Sequence, residues 1–134
     1  FHEGGSAPVV HIDFTQPYDP ELRQVLLAAA RDAGQVVTDG GVYAAMQGPR
    51  LETAAEIDRL EGDGADIVGM TGMPEAALAR ELELPYAAIT VVSNHAAGRG
   101  ESKLGIQFAS LEDILRESME RVRRIIEMIC LDGE

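Results

Sequence analysis

Short apolar blocks recur along this chain and are separated by longer stretches with helical periodicity. Four blocks predict buried strands: residues 8–14, 42–46, 66–70 and 86–92. The second block ends an extended stretch that starts at residue 35 and is interrupted at Asp39, Gly40 and Gly41. The spacing of the blocks leaves room for a helix between each pair.

Helix start signals fall in those gaps. Asp19 and Pro20 predict the N-cap and first residue of a helix that ends at about residue 33. Thr53 and Glu56 have the spacing of a capping box at the start of a second helix. Pro74 predicts the first residue of a third helix, which ends at about residue 83.

A long amphipathic helix closes the chain, with Ser110 and Asp113 at its start. Its apolar face comprises Leu111, Ile114, Leu115, Met119, Val122, Ile125, Ile126 and Ile129. Strands that alternate with helices predict an α/β fold, a mixed sheet flanked by helices. No internal repeat or linker divides the chain, and only residues 96–102 have the composition of a mobile loop.

Composition narrows the possible functions. The 134 residues are 46% hydrophobic, which is enough for one domain with a core, and no apolar run approaches the roughly 20 residues of a membrane helix. A net charge of −12 argues against a nucleic-acid or membrane surface, because phosphates must be neutralised by cations. The single Cys130 predicts neither a disulfide nor a zinc site. We therefore expect a cytoplasmic domain without a metal.

Two strand-to-helix junctions carry the candidate chemistry. At the first, the strand stops at Gly48 and Pro49, and a loop containing Glu52 precedes the second helix. At the second, Thr71 follows a strand and precedes a helix N-terminus, where free backbone N–H groups favour an anion. The junctions suit a nucleoside and a phosphate.

These junctions resemble the trimeric purine nucleoside phosphorylase family, which includes methylthioadenosine and methylthioinosine phosphorylases. The first motif, G-x-Y-x(4)-G-P-x-[hydrophobic]-E-T-x-A-E, runs from Gly41 to Glu56, and the second, G-A-D-x-[VI]-G-M-[ST]-x-x-P-E, from Gly64 to Glu75. Weaker similarity covers residues 11–23, residues 86–98 and the last helix. The resemblance implies the purine nucleoside phosphorylase-like fold.

Family members are longer and begin with a glycine-rich loop and Arg and His residues that bind phosphate, and none of these precedes Phe1. We therefore expect residues 1–134 to be the C-terminal portion of a single nucleoside phosphorylase domain, and to be inactive alone. An inactive binding or assembly module is the alternative.

The resemblance implies phosphorolysis, in which inorganic phosphate attacks C1′ of a purine nucleoside while the glycosidic bond breaks. Phosphate is then a co-substrate, and neither an organic cofactor nor a metal is required. The family also implies a homotrimer or hexamer. A nucleosidase that uses water has a similar fold but fits these motifs poorly.

Glu52 and Asn94 match the base-binding positions of the family and are the catalytic candidates. A carboxylate only accepts hydrogen bonds, so Glu52 suits the N1–H of a 6-oxopurine, and the Asn94 amide can donate to O6 or N7. Adenine-selective relatives carry aspartates at the positions of Asn94 and Ala96. The alternatives are a helix-start carboxylate for Glu52 and a turn residue for Asn94.

The resemblance assigns the sugar and phosphate positions to other residues. Met70 and Tyr43 match positions beside the ribose, Thr71 matches a phosphate ligand, and His11 matches a region that reaches a neighbouring subunit's sugar. Each has a structural alternative: core for Met70 and Tyr43, a turn for Thr71, and a core or interface position for His11. Arg50 is either near phosphate or in a surface ion pair.

Leu111 and Leu115 match aliphatic positions around the 5′ group of methylthio-specific members. An apolar wall favours a methylthio group and leaves a hydroxyl without a partner. Leucines at this spacing are also ordinary core residues of an amphipathic helix. With Glu52 and Asn94 they favour a 5′-methylthioinosine phosphorylase, followed by a general 6-oxopurine nucleoside phosphorylase and then a methylthioadenosine phosphorylase.

Overall fold

Helices and short strands alternate in the computed structural model, which describes residues 4–6, 8–108 and 111–131. The helices are α1 (Pro20–Asp32), α2 (Ala54–Gly62), α3 (Glu75–Glu81) and α4 (Leu111–Leu131). The strands are β1 (Tyr43–Ala45), between α1 and α2, and β2 (Ile67–Gly69), between α2 and α3. This order confirms the α/β class.

The two strands form a parallel pair. Tyr43 lies opposite Ile67, and Ala45 lies opposite Gly69. The ladder extends past both ends, because the Val42 carbonyl accepts from the Asp66 N–H at 2.9 Å and the Met46 N–H donates to the Gly69 carbonyl at 2.8 Å. Parallel strands need a crossover connection, and α2 provides it. Both strands therefore end at the same edge of the sheet.

Local capping signals fix the helix starts. The Asp19 carboxylate accepts from the Leu22 N–H at 2.7 Å at the start of α1, and Thr53 and Glu56 form both bonds of the predicted capping box. At α3 the prediction is wrong by one residue, because Pro74 is the N-cap and not the first helical residue. Ser110, the predicted start of α4, lies outside the described residues.

Helix α1 packs on α4 through small residues. Ala29 and Ala30 of α1 and Ile125 of α4 are buried together, and Ile89 and Met128 pack against them. Alanines allow close approach of two helices, since no long side chain separates their backbones. Arg121 of α4 adds polar contacts, donating to Gln35 Oε1 at 3.0 Å and to the Val36 carbonyl at 2.8 Å.

Two predicted strands are not formed. Residues 8–14 and 86–92 have no regular secondary structure, and β1 and β2 cover only the centres of their predicted blocks. A strand needs a backbone partner, and the described residues provide neither segment with a ladder. The Tyr86 carbonyl accepts from the Asp19 N–H at 2.7 Å, which ties the start of the second segment to the N-cap of α1.

The Glu56 carboxylate joins three groups at the start of α2. It accepts from the Thr53 N–H at 2.7 Å and from the Arg50 guanidinium at 2.8 and 2.7 Å. The hydrogen bonds from Arg50, followed by those from Thr53, lower the pKa of Glu56 from 4.5 to about 2. The half of the capping box in which Glu56 accepts from the Thr53 N–H therefore depends on an ionised carboxylate.

We predict that Glu56→Gln lowers the free energy of unfolding at neutral pH but not in strong acid. The folded-state pKa lies below the unfolded value, so the ionised carboxylate stabilises the fold above pH 4.5 and loses this contribution as the pH falls to about 2. Urea unfolding of both proteins across this range measures the difference. Glu21→Gln, in the first turn of α1, is the control. A Glu56→Gln difference that stays constant with pH would contradict the prediction.

Candidate active site

An open cavity of about 1000 Å³ lies beside β2 and the turn that follows it. Its lining includes five of the residues predicted from the sequence: Tyr43, Glu52, Met70, Thr71 and Asn94. Tyr43 belongs to β1, and Met70 and Thr71 follow β2 directly. Ligands of open α/β sheets bind at the carboxyl ends of the strands, so this cavity is the candidate active site.

Tyr43 and Thr71 form a hydrogen-bonded pair in this cavity. The Tyr43 hydroxyl accepts from the Thr71 N–H at 3.1 Å and lies 3.2 Å from Thr71 Oγ1. The ring crosses Gly69, where an added Cβ would lie 2.3 Å from the tyrosine oxygen. The Thr71 N–H is thus already bonded. If the tyrosine hydroxyl donates to Oγ1, the threonine hydroxyl proton remains available to a ligand.

Met70 connects the two junctions. Its side chain is half-buried and lies on Gly48, whose φ is +63° and where an added Cβ would lie 2.4 Å from the Met70 sulfur. Glycine is required there by both the left-handed backbone and the close approach. The loop after β1 is therefore held against the turn after β2.

Glu52 and Asn94 line the same cavity from different segments. Glu52 is half-buried and directly precedes Thr53, the N-cap of α2. Asn94 is held by its neighbours: its Oδ1 accepts from Ser93 Oγ at 2.9 Å, and its Nδ2 donates to the His95 carbonyl at 2.7 Å. An amide NH₂ has two protons, so Asn94 keeps one N–H for a ligand.

Arg50 forms a surface ion pair. Its guanidinium binds Glu56 in a two-bond fork and also donates to the Leu51 carbonyl at 3.1 Å, and its side chain is 69% exposed. The pairing raises the pKa of Arg50, chiefly through the hydrogen bonds to Glu56. Of the two sequence interpretations of Arg50, the ion pair is confirmed.

Carboxylates outnumber cations in the described lining of the cavity. Glu52, Glu61, Asp66 and Glu75 are present, and Arg99 is the only Lys or Arg among the described lining residues. Arg99 is itself bound to carboxylates, at 2.8 Å from Asp58 Oδ1 and 2.6 Å from Glu61 Oε2. A phosphate ion would find Thr71 here but no free guanidinium or ammonium group within the described lining.

Two tyrosines that the sequence did not identify as site residues also line the cavity. The rings of Tyr18 and Tyr86 are stacked, with centroids 6.1 Å apart and planes at 18°. Burial raises the pKa of the Tyr18 hydroxyl, with a smaller contribution from Tyr86. In the sequence, each tyrosine lies in a segment that resembles the family. Their stacking could not be predicted, because the two residues lie far apart in the chain.

Residues 96–102, which the composition predicts to be a mobile loop, make several contacts in the structure. Arg99 is paired with two carboxylates of α2, and Ser102 is buried. The backbone forms a 3-10 turn over Gly100–Ser102. Glycines in this segment permit close packing rather than freedom of movement.

Three predicted site residues do not line the cavity. His11 is exposed and precedes α1, Leu111 is half-buried at the start of α4, and the Leu115 residue is 43% exposed. Helix α4 packs on α1, and no residue of α4 lines the cavity. The roles assigned to these residues stay predictions.

The described residues carry no constellation for metal chemistry, since no group of three or more His, Cys, Asp or Glu side chains among them is placed to hold an ion. None of the helices described combines the length and apolar character of a membrane span. The cavity offers hydrogen-bond donors, carboxylate acceptors and apolar surface, which can bind and polarise a small polar molecule.

Comparisons with known proteins identify the relatives of this chain. The family model of the Phosphorylase superfamily matches residues 1–130. A protein of Pseudomonas syringae pv. tomato named "Probable S-methyl-5'-thioinosine phosphorylase" is 55% identical over 121 residues, covering 90% of this chain and 48% of the relative. The 6-oxopurine nucleoside phosphorylase of Pyrococcus furiosus is 42% identical over 131 residues, covering 94% and 49%.

Solved structures agree with these matches. The adenosine/methylthioadenosine phosphorylase of Schistosoma mansoni, as a double mutant in complex with adenine, superimposes with a TM-score of 0.85 at 30% identity, covering 96% of this chain and 53% of that one. The chain spans about half the length of the curated relatives it matches. With a family model matched across residues 1–130, the chain belongs to the phosphorylase superfamily.

Proposed function

We propose that this chain is the C-terminal portion of a purine nucleoside phosphorylase domain that cleaves 6-oxopurine nucleosides, with 5′-methylthioinosine as the preferred substrate. The products are the free purine and 5-methylthioribose 1-phosphate. The observation that carries the proposal is the presence of Glu52 and Asn94 in one cavity with Tyr43, Met70 and Thr71. Relatives at 55% and 42% identity, named as a probable S-methyl-5'-thioinosine phosphorylase and a 6-oxopurine nucleoside phosphorylase, support the same reaction class.

Base recognition follows from the chemistry of the two polar residues. Glu52 accepts the N1–H of a 6-oxopurine, and the free N–H of Asn94 donates to O6 or N7. Adenine presents a lone pair at N1, which an ionised Glu52 repels. The absence of a carboxylate at Asn94 and Ala96 further disfavours adenine, since a 6-amino group needs an acceptor.

The reaction is a displacement at C1′. A phosphate oxygen forms the new bond to C1′ as the C1′–N9 bond breaks, and the bonding electron pair passes into the purine ring. Asn94 stabilises the negative charge that develops at O6 and N7, while Met70 lies against the sugar and Thr71 donates its hydroxyl to phosphate. Inorganic phosphate is the co-substrate, and no organic cofactor takes part.

Phosphate binding requires residues beyond those described. The described lining contains Glu52, Glu61, Asp66 and Glu75, and its single guanidinium is paired with Asp58 and Glu61. A complete domain, which contains the additional half present in the relatives, supplies the cations. We call this longer protein the complete domain.

The oligomeric state and the compartment that we infer are those expected of the family. We infer a homotrimer or hexamer, which is supported by large apolar residues that are exposed in the single chain: Val36 at 86%, Val92 at 66% and Leu104 at 100%. Cys130 is an exposed free thiol, which supports the reducing cytoplasm as the compartment.

We predict that the purified 134-residue chain does not phosphorolyse inosine or methylthioinosine, whereas the complete domain does. Thr71 alone cannot hold a phosphate dianion in an acidic cavity. Release of hypoxanthine with and without phosphate measures both proteins. Turnover by the chain alone would contradict the prediction, and phosphate-independent turnover by the complete domain would indicate a nucleosidase.

We predict that Glu52→Gln in the complete domain raises the barrier for a 6-oxopurine nucleoside by roughly 2–4 kcal/mol, because a charged hydrogen bond to N1–H is lost. Asn94→Asp should shift the kcat/KM ratio toward 6-aminopurines. Glu75→Gln, another carboxylate of the cavity, is the matched control and should keep the wild-type ratio. Wild-type rates and base preference in both Glu52→Gln and Asn94→Asp would refute the base-site assignment.

We predict that methylthioinosine exceeds inosine by about 10- to 200-fold in kcat/KM, the range for one apolar group in a fitted pocket. If Leu115 contributes to the 5′ wall, Leu115→His should reduce this ratio by giving a 5′-hydroxyl a partner. Ile126→His, on the same helix and similarly exposed at 49%, should leave the ratio unchanged. Equal efficiency for both nucleosides would favour a general 6-oxopurine nucleoside phosphorylase.

A further inference from the structure

We propose that Arg99 is a positioning residue that fixes Asn94 relative to Glu52 by anchoring the loop of residues 95–105, here called the Arg99 loop, to helix α2. The proposal rests on the proposed function, because it gives Asn94 and Glu52 one shared ligand. Arg99 follows Asn94 by five positions and lines the same cavity.

The anchor is a two-carboxylate ion pair. One guanidinium nitrogen of Arg99 lies 2.8 Å from Asp58 Oδ1 and 2.6 Å from Glu61 Oε2. These carboxylates are one turn apart on α2, so both lie on the same face of that helix, next to the loop. The Arg99 side chain is 34% exposed, half the value of its partners at 67%. The hydrogen bonds to Asp58 and Glu61 raise the pKa of Arg99, so the cation is permanent.

The Arg99 loop is held together by hydrogen bonds within its own backbone. Its backbone N–H groups donate internally, from Gly98 to the Ser102 carbonyl at 3.2 Å and from Ser102 to the Arg99 carbonyl at 2.8 Å. Ser102 is 3% exposed. The loop therefore moves with Arg99 as one unit.

Close contacts connect this unit to both base-site residues. Gly98, at φ +76°, approaches Ala54, the first residue of α2, where an added Cβ would lie 2.8 Å from the alanine Cβ. Glu52 lies two positions before Ala54. At the other end, the His95 ring lies over Gly100, and the His95 carbonyl accepts from Asn94 Nδ2 at 2.7 Å.

The contacts form a continuous path from Asp58 and Glu61, through Arg99 and the loop, to Asn94. Glu52 directly precedes Thr53, the N-cap of α2, so an anchor between the loop and α2 sets the separation of the two polar groups. One guanidinium nitrogen binds both carboxylates, and the delocalised, permanently charged group keeps further N–H donors. Exposed ion pairs add little to global stability, so removal of Arg99 should leave the fold intact.

The first measurement is kinetic and uses the complete domain. Arg99→Ala should lower kcat/KM for a 6-oxopurine nucleoside by about 10- to 100-fold, as expected for a displaced catalytic group. In an Asn94→Ala background the same change should have less than about a threefold effect, because the group that Arg99 positions is gone. Equal effects in both backgrounds would overturn the proposal.

The second measurement separates positioning from phosphate binding. The double variant Asp58→Asn with Glu61→Gln releases Arg99 and should reproduce the loss seen in Arg99→Ala. If Arg99 instead contacts phosphate, this double variant should leave the KM for phosphate unchanged or lower it, and that result would overturn the proposal. Arg59→Ala, which breaks the neighbouring pair with Asp63 at 2.8 Å, is the matched control and should leave activity unchanged.

Hydrogen exchange gives a readout that does not depend on activity. Arg99→Ala should speed amide exchange in residues 96–105 and leave α1 and α4 unchanged. If Arg99→Ala leaves amide exchange in the loop unchanged, Arg99 does not anchor the loop. If the variant exchanges faster but keeps wild-type kinetics, Arg99 does not position Asn94. A wild-type complete domain that cleaves no purine nucleoside would refute the proposed function, while the exchange result would still decide whether Arg99 anchors the loop.

Discussion

The parallel pairing of β1 with β2 is the constraint on which the candidate site depends. A parallel pair cannot be closed by a tight turn, so α2 must cross between the strands, and its start brings Glu52 to the edge where β2 ends. The turn after β2 places Met70 and Thr71 at that same edge. Asp66 reinforces the pairing from the opposite end, where its carboxylate accepts from the Val42 N–H at 2.7 Å.

Backbone pairing and helix caps organise the described chain more than large buried side chains do. The buried apolar residues are mainly alanines, with Ile57, Leu60 and Ile125, and among the described residues no large side chain is fully buried. Small residues define where elements meet but remove little apolar surface from water. The geometry of the junctions is therefore specified by local contacts more than by a large hydrophobic core, and several large apolar residues stay exposed.

Whether a feature could be predicted from the sequence depends on how far apart in the chain the interacting residues lie. Asp19 and the Thr53–Glu56 box depend on near neighbours, and the structure confirms them. The centres of β1 and β2 are also confirmed, because each strand has its own apolar run in the sequence. Residues 86–92 have strand-forming composition but no ladder partner in the described chain. Arg99 finds its carboxylates 41 and 38 positions away, which composition alone cannot reveal, and glycine content made its loop look mobile. For the same reason, a helical pattern places Leu111 and Leu115 on α4 but cannot say what that helix faces.

The acidic lining is consistent with the proposed reaction, in which positive and negative charge lie on different groups of the substrates. Phosphorolysis builds positive charge on the ribose while negative charge grows on the purine and is carried in by phosphate. A lining carboxylate such as Glu75, just after the turn that follows β2, favours a cationic sugar and disfavours an anion, and the Arg99 guanidinium is paired with Asp58 and Glu61. Because carboxylates outnumber cations in the described lining, we propose that a complete phosphorylase carries its phosphate-binding cations on a separate segment. In the proposed reaction, the absence of an unpaired Lys or Arg from the described lining leaves the Glu52 carboxylate as an acceptor and the Asn94 amide as a neutral donor for the base.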